Sequence, residues 1–208
     1  MNIRFQIAAW LLLLATTVAG VAICIRWVDF PVALLFQAHA SRFSELGCGF
    51  GSSVLVSGEI LLIATLAMIR MVRGHLPQYA KALFVACCAS LSAFVANDDI
   101  LKAIFGRQNP SAWLNNPTIH IFYFFQGDEH SSFPSGHMVM ATAFAGVLIR
   151  LYPRTLPVFS ALLGVGAIAL LIGDWHFVSD VIAGAFVGGT AGFVAGELWD
   201  QHTRQRPA

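Results

Sequence analysis

The stretch that decides the fold spans residues 132–180 and reads SFPSGHMVMATAFAGVLIRLYPRTLPVFSALLGVGAIALLIGDWHFVSD. A polar motif opens it, two apolar runs follow, and a second polar motif closes it. Pro153 and Pro157 mark a tight turn between the runs, because proline interrupts a continuing helix. Two helices of this length carry a chain across a bilayer and back. The stretch therefore predicts a membrane helix hairpin with His137 and His176 at one membrane face.

The composition of the whole chain agrees with a membrane protein. Of 208 residues, 57% are hydrophobic and 11% charged, whereas soluble domains contain about 25% charged residues. We predict an all-α, polytopic membrane protein, a bundle of six transmembrane helices formed by one domain over residues 1–208. The predicted spans are residues 5–26, 51–71, 80–102, 134–151, 155–174 and 176–198. The segment 29–43 is expected to form a short helix at the membrane interface.

The basic residues indicate the orientation of the spans. Eight of the twelve Lys and Arg residues fall on the side of both termini, and four fall on the other side. Because basic loops stay in the cytoplasm, we expect both termini there, in a multi-pass protein of the inner (plasma) membrane. Both polar motifs and the long loop 106–133 then face the periplasmic, outer side. A formal net charge of +1 does not favour nucleic acid, so the expected partners are the bilayer and a membrane lipid.

The first polar motif, Pro134-Ser135-Gly136-His137, begins a predicted helix. Proline suits the first turn of a helix, and a serine and glycine leave the backbone N–H groups uncrowded. Free N–H groups at a helix N-terminus bind anions. We expect His137 to stand beside this anion site as a proton donor.

The second polar motif contains His176 and Asp180, which lie four residues apart and share one face of a predicted helix. A carboxylate that bonds one imidazole nitrogen leaves the other nitrogen free to attack an electrophile. Lys102 and Arg107 follow the third span and supply positive charge for phosphate oxygens. The residue types therefore indicate nucleophilic chemistry on a phosphate group.

Together these motifs resemble the three signatures of the type 2 phosphatidic acid phosphatase superfamily. The family patterns are K-x6-R-P, P-S-G-H and S-R-x5-H-x3-D, and the resemblance is strongest over residues 80–198. The resemblance implies that His176 attacks phosphorus to form a phosphohistidine, that Asp180 orients His176, and that His137 protonates the leaving oxygen. It also implies that Lys102 and the backbone of residues 135–136 hold the phosphoryl oxygens. No metal or other cofactor is implied.

The chain departs from the family pattern at both arginines. The first falls on Asn109 and the second on Leu170, and the resemblance makes both phosphate-binding positions. Their loss removes two charge-assisted contacts to the transferred group. We expect Arg107, two residues before Asn109, to take over one contact. His120 and His130 in the outer loop are expected to be surface residues.

The predicted function is that of a membrane lipid phosphate or diphosphate phosphatase acting at the outer face. One alternative is a lipid-linked phosphoryl transferase of the same fold, which the missing arginines favour. Another is a non-catalytic membrane lipid-binding protein, against which the intact His137, His176 and Asp180 speak. The sequence leaves the lipid open among phosphatidic acid, phosphatidylglycerol phosphate, undecaprenyl diphosphate and lipid A phosphate.

Overall fold

Helices form most of the chain. The computed structural model describes residues 3–40, 51–116, 121–127 and 131–205. The elements are α1 (Ile3–Ile23), a π-helical segment (Cys24–Val28), α2 (Asp29–Ala40), α3 (Gly51–Arg73), α4 (Gln78–Ala96), a second π-helical segment (Asn97–Leu101), α5 (Lys102–Phe105), α6 (Pro110–Asn115), α7 (Gly136–Leu151), a 3-10 turn (Pro153–Thr155), α8 (Leu156–Ile172) and α9 (Val178–Arg204). The described residues contain no β-strand, and the all-α class is confirmed.

Within the described residues, five helical stretches are long and apolar enough to cross a membrane. They are Ile7–Gln37, Ser52–Arg73, Gln78–Phe105, Pro153–Ile172 and Val178–Arg204. The sixth predicted span, residues 134–151, corresponds to α7, which is apolar but has 16 residues. At 1.5 Å per residue it extends about 24 Å, which is less than the roughly 30 Å of a hydrocarbon layer. The polytopic helical bundle is confirmed, with one short member.

The N-terminal region differs from the prediction of a separate interfacial helix at residues 29–43. α2 continues α1 through the π-helical segment, so that Ile7–Gln37 is one long helix. Asp29, the first residue of α2, is 1% exposed. A separate surface helix is therefore wrong for residues 29–40, because its first carboxylate is enclosed by the bundle. Residues 41–43 lie outside the described residues.

The pair α7 and α9 forms the most extensive helix contact of the bundle. Glycines at four-residue intervals make one stripe along α9, namely Gly184, Gly188, Gly192 and Gly196. A Cβ added at Gly188 would lie 2.1 Å from the Val139 carbonyl oxygen, and one at Gly192 would lie 2.1 Å from the Ala143 carbonyl oxygen. Glycine permits this close approach of two backbones in a membrane. The stripe therefore fixes the register of α7 against α9.

This register brings the N-termini of α7 and α9 together. The N–H of Ser135 donates to the carbonyl oxygen of Asp180 at 3.1 Å. A Cβ added at Gly136 would lie 3.1 Å from the ring of Phe94, so this glycine lets the start of α7 approach α4. The two polar motifs and the residues that follow α4 consequently meet at one end of the bundle.

Candidate active site

A polar pocket of about 250 Å³ lies where these ends meet. The residues that line it are Ser52, Phe94, Lys102, Asn109, Ser111, Ser131, Ser132, Gly136, His137, Asp174, Trp175 and His176. The pocket thus brings together five of the residues predicted from the sequence. Asp180, Ser135 and Arg107 lie behind its wall, all three fully buried. His120 and His130 lie outside the described residues.

The two motif histidines face each other in this pocket. His137 Nδ1 lies 3.4 Å from His176 Nε2, and His176 Nδ1 lies 3.1 Å from the carbonyl oxygen of Ser132. A carbonyl oxygen only accepts hydrogen bonds, so Nδ1 of His176 carries the proton and Nε2 holds the free lone pair. His176 therefore presents an unprotonated Nε2 atom, with the His137 ring beside it.

Asp180 lies behind His176. Its Oδ2 atom is 3.7 Å from His176 Nδ1 and accepts a hydrogen bond from the N–H of Phe177 at 2.8 Å. The Ser132 carbonyl is nearer to the same imidazole nitrogen, at 3.1 Å. The carbonyl fixes the tautomer, and Asp180 supplies negative charge behind the ring. Sequence reasoning missed Ser132, because a backbone acceptor has no residue signature.

Arg107 does not line the pocket, although the sequence predicts a phosphate contact for it. Its Nη1 atom donates to Asp180 Oδ1 and Ser179 Oγ, both at 2.5 Å, and Nη2 donates to Asp29 Oδ2 at 2.7 Å. Asp29 also accepts from the N–H of Ser179 at 3.0 Å and from its hydroxyl at 2.5 Å. These contacts direct the guanidinium away from the pocket. We refer to Asp29, Arg107, Ser179 and Asp180 as the buried ionic cluster.

Aromatic rings enclose the cation of this cluster. The central carbon of the Arg107 guanidinium lies 4.3 Å from the ring centre of Phe177, 5.0 Å from that of Phe122 and 5.9 Å from that of Phe133. The charged side chains of the cluster are 0% exposed. Water screens such charges weakly, so each depends on its partners, and removing one leaves another unpaired.

The start of α7 has backbone N–H groups that are free to bind an anion. Ser135 is its N-cap, and its Oγ accepts from the N–H of Met138 at 3.4 Å. The Ser135 N–H is occupied by the Asp180 carbonyl, so it does not face a ligand. The N–H groups of Gly136 and His137 form no hydrogen bond with another described residue. They lie at the positive end of the helix dipole, where an anion is stabilised.

Comparisons with known proteins decide the family. A family model described as the PAP2 superfamily matches residues 78–204, which include both histidine motifs. The chain belongs to the PAP2 superfamily. No solved structure matches the chain significantly.

Two curated relatives are similar to most of the chain. A lipid A 1-phosphatase of Rhizobium etli is 30% identical over 194 residues, which cover 86% of this chain and 81% of the relative. A lipid A 1-phosphatase of Rhizobium johnstonii is 29% identical over 193 residues, which cover 86% of this chain and 76% of the relative. The family and these names together identify the chain as a membrane phosphatase of phosphoric monoesters.

The PAP2 pattern has a lysine and two arginines, and in this chain only the lysine position holds a cation. Lys102 lines the pocket, and its Nζ lies 2.8 Å from Asp98 Oδ1. Asn109 stands at the first arginine position and lines the pocket, but its Oδ1 accepts the N–H of Ala112 at 2.7 Å and so caps α6. Leu170 stands at the second arginine position, is 6% exposed and packs in an apolar cluster. The pocket is therefore poorer in cations than the PAP2 pattern implies.

Asp174 is a residue of the pocket to which the sequence assigned no role. It is 3% exposed, and its Oδ1 atom has no hydrogen-bond partner among the described residues. Burial raises the pKa of its carboxyl to about 6. Its place two residues before His176, in the turn ahead of α9, is the signal that could have indicated it.

An apolar groove meets the polar pocket at His137. The groove has a volume of about 620 Å³ and lies between α3, α7 and α8. Leu62, Phe144 and Leu163 lie in its wall together with Leu170, and His137 lines both cavities. A molecule with a phosphate in the pocket can extend an apolar chain into this groove.

Proposed function

We propose that this PAP2 phosphatase removes a phosphate group from a membrane lipid at the outer membrane face, through a phosphohistidine on His176. The observation that carries the proposal is the approach of His137 Nδ1 to His176 Nε2, 3.4 Å apart in a pocket that also contains Lys102. A nucleophile, a second imidazole and an anion site at the start of α7 are the groups that phosphoryl transfer requires.

In the first step, the lone pair of His176 Nε2 attacks phosphorus. The bond between phosphorus and the lipid oxygen breaks, and the oxygen leaves with the electron pair and takes a proton from the protonated ring of His137. The products are the lipid alcohol and a phosphohistidine. Lys102 and the N–H groups of Gly136 and His137 hold the phosphoryl oxygens as charge shifts between them.

In the second step, a water molecule attacks the phosphohistidine. His137, now neutral, takes a proton from this water, and the bond between phosphorus and Nε2 of His176 breaks. Inorganic phosphate leaves, and both rings return to their starting states. The net reaction is hydrolysis of a phosphoric monoester by one water molecule.

The apolar groove supports a lipid as the substrate. His137 lines both the groove and the pocket, and two of the three helices around the groove, α3 and α8, are long enough to span a membrane. A chain of carbon atoms in the groove leaves water, which favours binding by about 0.8 kcal/mol for each buried CH₂ group. Because both Rhizobium relatives are named lipid A 1-phosphatases, lipid A 1-phosphate is the first substrate to test.

We propose cytoplasmic termini and a pocket on the periplasmic side of the inner membrane. The support is the distribution of eight basic residues on the side of the termini and four on the other side. A single cysteine added at the C-terminus of a variant without its native cysteines tests the orientation. Labelling of this cysteine in intact cells by a membrane-impermeant thiol reagent would contradict the proposed orientation and place the C-terminus outside.

Arg107 receives a positioning role in this proposal. Its guanidinium holds Asp180, and Asp180 in turn lies 3.7 Å behind the nucleophilic imidazole. The cluster also ties α2, through Asp29, to the start of α9. The phosphate contact predicted for Arg107 is therefore replaced, in the proposed mechanism, by contacts of Lys102 and the start of α7.

Phosphate release by the purified protein in detergent tests the function. The lipids are lipid A 1-phosphate, phosphatidic acid, phosphatidylglycerol phosphate and undecaprenyl diphosphate, each labelled in its phosphate. Free labelled phosphate supports the phosphatase, whereas label that appears mainly in a new lipid or glycan supports the transferase. Denaturation in alkaline detergent should trap a labelled protein adduct that is stable in alkali, is lost on acid treatment and is absent from His176→Ala. A wild-type protein that turns over without any such adduct would contradict the phosphohistidine.

A further inference from the structure

Asp174 lies in the wall of the pocket, in a turn that is bonded to α6. It lies in the turn between α8 and α9, with φ of +52°, in the left-handed region that Asp, Asn and Gly tolerate. Its carbonyl oxygen accepts a hydrogen bond from the N–H of Ser111 at 3.2 Å, which fastens the turn to α6. The residue is 3% exposed. Its carboxyl is therefore kept at the pocket and away from bulk water.

This carboxyl has no partner in the part of the chain that the structure describes. Its Oδ1 is buried without a hydrogen bond, while Lys102 of the same pocket pairs with Asp98 at 2.8 Å. An unpartnered buried polar group costs free energy. Since burial raises the pKa of Asp174 to about 6, the group is anionic at neutral pH. A fully ionised phosphate group cannot satisfy it, but a ligand group that donates a hydrogen bond can.

The neighbours of Asp174 suit a sugar ring. Asn109 and Ser111 line the same pocket, and Trp175 Nε1 is buried without a hydrogen bond to any described residue. Amide, hydroxyl and indole N–H groups are neutral partners for the hydroxyl and amide groups of a sugar. A ligand ammonium group suits the pocket less well, because it would meet the positive charge of Lys102.

We propose that Asp174 accepts a hydrogen bond from a hydroxyl or amide N–H of a sugar that carries the phosphate, and thereby selects sugar-linked lipid phosphates over phosphatidic acid. The inference rests on the proposed phosphatase function and names its substrate class. A sugar ring offers donors within one or two carbons of the phosphate. Phosphatidic acid has no such donor and brings only negative charge towards the carboxylate.

Two substitutions test this without straining the turn. Asp174→Gly removes the carboxyl, and Asp174→Asn removes its charge but keeps one acceptor oxygen. Glycine and asparagine both adopt the left-handed backbone found here. The control is Asp99→Asn, which removes an exposed carboxylate that does not line the pocket. Values of kcat/KM are measured for lipid A 1-phosphate and for phosphatidic acid on the same preparation of each variant.

We expect the wild-type protein to prefer the sugar-linked lipid. Asp174→Gly should lower kcat/KM for that lipid by about 10- to 100-fold, the loss typical of a hydrogen bond to a charged acceptor. Asp174→Asn should lose less, and Asp99→Asn should match the wild type. Activity on phosphatidic acid should stay the same or rise, because a repulsive charge is gone.

The ratio of the two kcat/KM values decides the inference, since it does not depend on the folded fraction of a preparation. A ratio that Asp174→Gly leaves unchanged would overturn the role of Asp174, even if both activities fall. A wild-type protein that prefers phosphatidic acid would overturn it as well. Absence of phosphate release from both lipids by the wild type would instead overturn the proposed function, and this inference with it.

Discussion

The two sides of His176 are built in opposite ways. Behind the imidazole, the buried ionic cluster joins its charged atoms by hydrogen bonds of 2.5 to 3.0 Å. In front of it, the pocket presents Lys102 and Asp174, and the carboxyl of Asp174 has no hydrogen bond to any described residue. The charged groups of the rear side pair with one another, and of the Arg107 guanidinium only Nε has no partner among the described residues. On the front side, Lys102 pairs with Asp98, whereas the carboxyl of Asp174 has no such partner.

This difference separates positioning from recognition. Paired charges favour a single arrangement of a buried cluster, and in the proposed mechanism this arrangement holds His176 in one orientation before substrate arrives. A pocket with unsatisfied groups gains its partners from the ligand, so its composition sets which ligand fits. The cluster contains one cation and two carboxylates, so its net negative charge also favours positive charge on the ring of His176 during transfer.

The largest expected effect comes from the residues between the two sides. His176→Ala and His137→Ala should each lower kcat by about 1,000-fold or more, because a nucleophile and its proton donor act as a unit. Phosphate release in detergent measures the loss, and size-exclusion elution checks that each variant stays folded. Full activity of either variant would contradict the proposed mechanism. The double variant should be hardly slower than either single one.

Removing Arg107, the cation of the buried ionic cluster, should disrupt the rear side of His176. Arg107→Ala leaves two buried carboxylates unpaired, which should cost about 3–5 kcal/mol of stability and lower kcat by orders of magnitude. Arg107→Lys keeps the charge but not the forked donors that reach three partners, so it should recover the activity only in part. Thermal unfolding in detergent and steady-state kinetics measure the two effects.

Asp29→Asn is the matched variant for Arg107→Ala, because it changes a partner of Arg107 in the buried ionic cluster. Asp29 lies on α2 and touches the cluster but not the pocket. If the cluster acts as one unit, Asp29→Asn and Arg107→Ala should be strongly non-additive, and both should reduce kcat more than they raise KM. A variant Arg107→Ala with normal stability and kcat but a raised KM would show that Arg107 binds phosphate directly, and the distinction between the two sides would fail.

Part of this organisation was predictable from the sequence. Apolar runs define the spans because a bilayer requires about 20 such residues, and P-S-G-H and H-x3-D identify the paired histidines. The glycines Gly184, Gly188, Gly192 and Gly196 also form a period-four pattern that is typical of close helix packing. The contacts of Arg107 could not be predicted from the sequence, because its partners Asp29 and Asp180 are 78 and 73 residues away along the chain. Only the packing of α2 against α9 reveals that its charge is already neutralised.

On the front side, substitution of Asn109 should have a smaller effect on stability and activity than substitution of Arg107. Its side chain caps α6, so Asn109→Ala should cost about 1 kcal/mol of stability, the usual effect of removing an N-cap. Because the residue replaces an arginine of the PAP2 pattern and offers no charge, kcat/KM should fall by less than about tenfold. Asn109→Ser, which preserves a capping oxygen, is the control. A loss of 100-fold or more in Asn109→Ala with normal stability would make Asn109 a phosphate ligand.

The smallest expected effect is a change in the pH dependence of stability at Asp174. Burial raises the pKa of this carboxyl from 3.8 to about 6 in the folded protein. Between these values the unfolded chain has released its proton while the folded chain retains it, so the folded state loses stability as pH rises from about 4 to 6.

Asp174→Asn does not titrate, and therefore the melting temperature of the variant minus that of the wild type should increase over this range and level off above it. Thermal unfolding of both proteins in one detergent at several pH values measures this difference, in which groups that titrate alike in the two proteins cancel. Parallel curves would mean that the Asp174 carboxyl finds a partner in the free protein, and the charged groups of the front side would then be paired, as those of the rear are.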